Sequence, residues 1–160
     1  MSGMRGKGLV SMEYADILHR LAPCGLFCGN CVAFAGGAIQ EHAQALAGKL
    51  GDNFGVYAER FAAMNPVFEG YSAFRELLDY MAQGSCSGCR GKGCLFKSCK
   101  VTECVRDKGV DFCFECKEFP CETHSMPPGL AERWQKNNEK MRDMGVGDYF
   151  DAFQVKPRYP

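Results

Sequence analysis

No stretch of this chain approaches the ~20 consecutive apolar residues that a membrane-spanning helix requires. At the N-terminus Arg5 and Lys7 are followed by Gly8-Leu9-Val10-Ser11-Met12-Glu13, which lacks the apolar run of a signal peptide. Neither sign of charge prevails: Lys+Arg and Asp+Glu stand at 19 each, so no global field draws the protein towards nucleic acid or an anionic membrane. Strand signals are few. No H-E-x-x-H, G-x-S-x-G or phosphate-binding glycine loop occurs. The zinc-deaminase pairing of H-x-E with P-C-x-x-C is missing too, because Pro120-Cys121 leads into Glu122-Thr123-His124. A cytoplasmic protein with no membrane association is expected, and the sequence leans away from an enzyme.

What the chain has in abundance is cysteine, at 11 of 160 residues. A secreted disulfide framework and metal ligation in a reducing compartment are the two readings of such a content. The missing signal peptide and the odd count favour metal. Cys86, Cys89, Cys94, Cys99, Cys104, Cys113, Cys116 and Cys121 crowd into residues 84–124, while Cys24, Cys28 and Cys31 lie far upstream.

Around these cysteines the apolar pattern is helical, and with 46% hydrophobic residues the chain can bury a core. Residues 1–10 read as a flexible leader, residues 11–147 as one helical metal-binding domain and residues 148–160 as a C-terminal tail. Ser11 can cap a short helix carrying Tyr14, Ile17, Leu18 and Leu21, which Pro23 ends. Ile39, Ala43, Leu46 and Leu50 share a face that Gly51 stops. Tyr57, Ala58 and Phe61 align in a second helix broken by Asn65-Pro66, and Phe74, Leu77, Leu78 and Met81 point inward from a third, between Tyr71 and Ala82. Those three are expected to share one core. Leu130, Trp134, Met141 and Met144 describe a last helix, polar from Gln135 to Lys140 and so expected on the surface, with Trp134 as its anchor. The tail, with Tyr149, Phe150 and Phe153 and then Lys156-Pro157-Arg158-Tyr159-Pro160, is expected to be extended, packed at its start and loose at its end. The expected fold is mainly α, a small helical bundle with a cysteine-rich, loop-dominated metal-binding segment.

Two C-x2-C knuckles, Cys86/Cys89 and Cys113/Cys116, can present four thiolates to one tetrahedral zinc. Cys94, Cys99 and Cys104 follow one another at five-residue steps, too far round a helix to share a face, so loops are expected there. The upstream Cys24-x3-Cys28-x2-Cys31 needs a fourth ligand, for which Cys104 or Cys121 is expected to close a clasp across the helices. Gly25 and Gly29 each follow a cysteine, where backbone N–H groups can approach sulfur. His124 is a candidate twelfth ligand, whereas His19 and His42 read as ordinary surface or interface residues. Two or three zinc ions are expected, with structural roles. The rival is a [4Fe-4S] cluster serving electron transfer, since C-x3-C-x2-C is also the spacing of radical S-adenosylmethionine enzymes; the chain is too short and too poor in strands for their barrel. The ferredoxin run C-x2-C-x2-C-x3-C-P is absent, and the C-x-x-C pairs lack the βαβ setting of a thioredoxin. A metal-dependent enzyme with an open zinc site is the third reading.

Between residues 84 and 124, Arg90, Lys92, Lys97, Lys100, Arg106, Lys108 and Lys117 nearly balance Glu103, Asp107, Asp111, Glu115, Glu118 and Glu122. Thiolate-bound zinc adds negative charge, the wrong sign for a phosphate backbone. A patch from Arg90 to Lys100 could still hold RNA, but a protein partner ranks above nucleic acid. Neither the partner nor an oligomeric state can be read from the sequence.

The string Cys24-Gly25-Leu26-Phe27-Cys28-Gly29-Asn30-Cys31, with Cys86-Ser87-Gly88-Cys89 and the run from Cys104 to Cys121 that contains Cys113-Phe114-Glu115-Cys116 and Phe119-Pro120-Cys121, resembles the cysteine-rich domain-of-unknown-function family 3795. The resemblance spans roughly residues 20 to 125. It implies zinc binding through Cys24, Cys28, Cys31, Cys86, Cys89, Cys99, Cys104, Cys113, Cys116 and Cys121, with Cys94 in a loop that varies. It implies no activity, and the anaerobic bacteria and archaea that carry the family keep iron–sulfur chemistry in view.

Overall fold

A computed structural model of the chain describes residues 13–92 and 95–159. The leader at 1–10, the Ser11 cap, Cys94 and Pro160 lie outside the described residues. The fold is mainly α. Among the described residues there are seven α-helices: α1 Tyr14–Arg20, α2 Ala38–Leu50, α3 Phe54–Ala62, α4 Tyr71–Gln83, α5 Val101–Lys108, α6 Pro128–Met144 and α7 Val146–Gln154. Extended pairing among them is confined to two isolated bridges, Leu21 with Phe27 and Phe34 with Cys86.

Glycines end several of these helices where the chain must turn into the left-handed region. Gly109 at φ 67° stops α5, and Gly84 at φ 61° stops α4. No helix among the described residues is long and apolar enough to cross a membrane.

The main core lies between the two ends of the chain. Ile17 and Leu21 from α1, Phe27, Phe112, Met141 from α6, and Tyr149 and Phe150 from α7 form one buried cluster. Phe27 and Phe150 meet edge to face at 5.1 Å between ring centroids. A second cluster joins Ala22, Cys24, Val101, Val105, Cys113 and Trp134, and the cysteine sulfurs sit at its margin.

Neither cluster draws on α2, α3 or α4, which pack against one another as a separate unit, as expected of helices that share a core. α2 and α4 pack as a hairpin with α3 and a 3₁₀ turn, Pro66–Gly70, laid alongside. Its fully buried apolar side chains are Ala43, Ala58 and Leu78, while Leu46, Tyr57, Phe74 and Leu77 are exposed. A helix in so small a unit has few neighbours, so only a narrow stripe is covered; helical spacing alone cannot tell which residues of a wide apolar face that stripe includes.

Three further expectations are revised. The segment after Cys99 is not all loop: α5 forms because Val101 and Val105, one turn apart, are both buried. The spacing argument still applies within it, since Cys104 is on the helix and Cys99 precedes it. α6 is not merely superficial between Gln135 and Lys140, because Asn137 and Asn138 are buried there. The tail is helical rather than extended up to Gln154, since Tyr149, Phe150 and Phe153 at i, i+1 and i+4 make one face that caps the core. Its last residues are held as well: Asn30 donates from Nδ2 to the carbonyls of Gln154 and Lys156, both at 2.9 Å.

Candidate metal centre

The ten described cysteines divide between two cavities. Cys24, Cys28, Cys31, Cys86, Cys89 and Cys99 line a cavity of about 280 Å³. Cys104, Cys113, Cys116 and Cys121 line a cleft of about 20 Å³. The two C-x2-C knuckles therefore face different centres, contrary to the expectation that they share one zinc. Cys104 and Cys121, expected to close a clasp on the upstream triplet, line a different cavity from it; Cys86, Cys89 and Cys99 share the cavity of Cys24, Cys28 and Cys31 instead. Among the described residues no three His, Cys, Asp or Glu side chains already converge on a single-ion point; the groups are defined by the walls they share.

Local backbone structure explains the larger grouping. Ala22 N–H donates to the carbonyl of Leu26, and Gly25 N–H to that of Ala22, folding Pro23–Gly25 into a tight turn that projects Cys24 inward. Gly25 sits at φ 77°, and a Cβ there would lie 2.5 Å from Cβ of Asn137, so only glycine fits beneath α6. Cys31 closes a 3₁₀ turn over Cys28–Asn30. The Phe34–Cys86 bridge then docks the second knuckle beside the first: Cys86 N–H donates to the Ala33 carbonyl, and Ala35 N–H to that of Cys86, each at 2.8 Å. Gly88, at φ 85°, turns its N–H onto Cys86 Sγ at 3.4 Å. Backbone donation to sulfur of this kind favours a thiolate. Gly88 was not singled out in the sequence; a glycine two residues past a knuckle cysteine is the signal that finds it.

The smaller group is built from α5 and the chain that follows. Cys104 lies on α5, Cys113 opens a 3₁₀ turn over Cys113–Glu115, and Cys116 N–H donates back to the Cys113 carbonyl at 3.1 Å. The Glu115 carboxylate accepts from the N–H groups of Asp111 and Phe112 at 2.8 and 3.1 Å, tying down the entry to that turn. Asn138 fastens it from the other side, its Oδ1 accepting from Phe114 N–H at 3.0 Å while Nδ2 donates to the Trp134 carbonyl at 3.0 Å. Lys108 and Glu118 pair across the rim.

Electrostatics ties each group together. Burial pushes the Cys113 thiol up to about 11, and neighbouring Cys104 and Cys121 oppose its ionisation further, whereas the Trp134 indole favours the thiolate. That indole nitrogen is buried with no hydrogen-bond partner among the described residues. Burial also raises Cys104, reinforced by Cys121 and Cys116. Cys24 is pushed up to about 12, first by burial and then by Cys89 and Cys99. Thiols that oppose one another's ionisation in apolar surroundings are what a cation at the same place would reverse.

The histidines separate cleanly. His124 is buried, packs its ring at a tilt against Trp134 with 4.6 Å between centroids, and spends Nδ1 accepting from Met126 N–H at 3.0 Å. It lines neither cavity. His42 is exposed, and His19, also exposed, rests its ring on Phe34. Of the basic patch, Arg90 is engaged inward: Nε donates to the Leu18 carbonyl at 3.1 Å, Nη2 to that of Asp111 at 2.6 Å, and the guanidinium lies over Phe112. Lys100 pairs with Glu103.

A family model described as a protein of unknown function (DUF3795) matches residues 20–126, a span that begins before Cys24 and ends after Cys121. No curated protein and no solved structure matches the chain.

Proposed function

We propose that this chain, which belongs to the family of proteins of unknown function DUF3795, is a metal–thiolate protein in which Cys104, Cys113, Cys116 and Cys121 hold one structural zinc ion. The observation that carries the reading is that these four cysteines, drawn from α5, a 3₁₀ turn and the loop beyond it, line one cleft of about 20 Å³. A cavity needs ~10–15 Å³ to admit a single water-sized particle, so the cleft suits one ion and no organic ligand. Four thiolates complete a tetrahedral site and leave no open position for substrate, which favours structure over catalysis. The orphaned Trp134 N–H beside Cys113 supports the same reading, as an outer donor to a metal-bound sulfur. The six-cysteine cavity is then a second thiolate centre.

Structural zinc in small domains is worth ~10–16 kcal/mol of apparent binding free energy. Chelation under reducing conditions is therefore expected to unfold the segment around α5 and lower the melting temperature. A circular dichroism spectrum and melting temperature unchanged after exhaustive metal removal would overturn the reading.

A further inference from the structure

Two thiolate groups in one chain differ in size by more than tenfold, about 280 against about 20 Å³. A single tetrahedral zinc needs four sulfurs at ~2.3 Å and closes down around itself. Six cysteines around a space that admits many water-sized particles are not arranged for one such ion. Two zinc ions bridged by thiolates would use all six sulfurs but leave most of that volume unfilled. A cluster containing inorganic sulfide supplies the missing atoms.

The rest of the wall suits a buried cluster. Leu26, Phe34, Phe96 and Met126 make it apolar between the cysteines. Two donors reach sulfurs, and a third lines the same wall. Gly88 N–H reaches Cys86 Sγ at 3.4 Å. Tyr159 Oη donates towards Cys31 Sγ at 3.6 Å while accepting from Val32 N–H at 3.2 Å. Arg158, whose side chain lines the same cavity, has a buried Nε with no hydrogen-bond partner among the described residues. A guanidinium N–H buried without an acceptor costs free energy unless an acceptor arrives, and a cluster held by four thiolates brings negative charge and sulfur lone pairs to that place. Hydrogen bonds to sulfur and nearby charge are the protein's means of setting a cluster's potential.

We infer that the six-cysteine cavity holds a [4Fe-4S] cluster, with four of Cys24, Cys28, Cys31, Cys86, Cys89 and Cys99 as its ligands and with Arg158 and Tyr159 closing it as donors to sulfur. This rests on the reading of the chain as a metal–thiolate protein, but not on zinc occupying the smaller cleft. The C-terminal residues are thereby positioning residues of the centre rather than a loose end.

The test is anaerobic reconstitution of the full reduced chain with ferrous and ferric iron in equal parts, sulfide and zinc together, followed by elemental analysis and visible absorbance. About four iron and four acid-labile sulfide per chain, with brown charge-transfer absorbance, are expected. Zinc alone, at two or three ions per chain without sulfide, would overturn the inference while leaving the zinc reading intact. Iron and sulfide without zinc would do the reverse. Replacing Cys24, Cys28 and Cys31 together by serine leaves three thiols in the cavity, one fewer than the four ligands assigned; loss of iron with retained zinc and helical signal is expected, and full retention of the cluster would contradict the assignment. Because that triple variant removes buried groups, Arg158→Met gives an independent reading: unchanged iron content with a reduction potential shifted downward. An unshifted potential would overturn the part given to Arg158.

Discussion

Tyr149 on α7 donates its hydroxyl to the carbonyl of Gly25 at 2.7 Å, across 124 residues of sequence. The bond joins the C-terminal helix to the turn that delivers Cys24, and Tyr149 is fully buried where it is made. The tyrosine thus links core packing to the wall of the larger cavity.

Tyr149→Phe keeps the ring and its stacking on Phe153 but leaves the Gly25 carbonyl without that donor. A buried acceptor left unsatisfied costs about 1–3 kcal/mol. Equilibrium urea denaturation of the metal-loaded protein should show a loss of that order; a loss below ~0.5 kcal/mol would mean that the bond contributes little.

Asn138 is the corresponding fastener of the smaller cleft. Asn138→Leu is close in volume but removes the acceptor for Phe114 N–H within the Cys113–Glu115 turn. We expect destabilisation of about 1–3 kcal/mol together with faster zinc transfer to a competing chelator than in the parent protein. Unchanged transfer kinetics would separate Asn138 from the metal centre and leave it a packing residue.

Tyr14 donates to the Asp111 carboxylate at 2.9 Å. Burial first, and then that carboxylate, push its phenol up from 10.0 to about 12. A phenol raised in the folded state favours the native form below the unfolded value, and this advantage is lost as pH rises through the folded one. The stability difference between the parent protein and Tyr14→Phe should therefore be steady below pH 10 and shrink between pH 10 and about 12. A difference that is constant across that window would remove the Tyr14–Asp111 interaction from the account.

Helices were legible where apolar residues recurred against one strong stop, as with Gly51 after α2 and Gly84 after α4. α7 was missed because its signal is short and runs into Lys156-Pro157, which reads as extended chain. The buried Asn137 and Asn138 were invisible because a polar residue on a helix is ordinarily solvated; the hydrogen bond that Asn138 accepts from Phe114 N–H in the facing turn is what suits it to the core. Ten of the candidate cysteines are described, and they line the two cavities. Their grouping could not be read from spacing, since Cys86-x2-Cys89 and Cys113-x2-Cys116 look alike. What separates them is non-local: the Phe34–Cys86 bridge carries the first knuckle to the upstream triplet, while α5 and Asn138 hold the second beside Cys104. The short interval between Cys99 and Cys104 is where the chain passes from one centre to the other.

Zinc K-edge X-ray absorption on the full reduced chain tests the central claim most directly. The account predicts four sulfur scatterers at about 2.3 Å and no nitrogen or oxygen in the first shell, with the signal abolished when Cys116 and Cys121 are both replaced by serine. Zinc that is absent, that carries a nitrogen or oxygen ligand, or that survives that double replacement unchanged would contradict it.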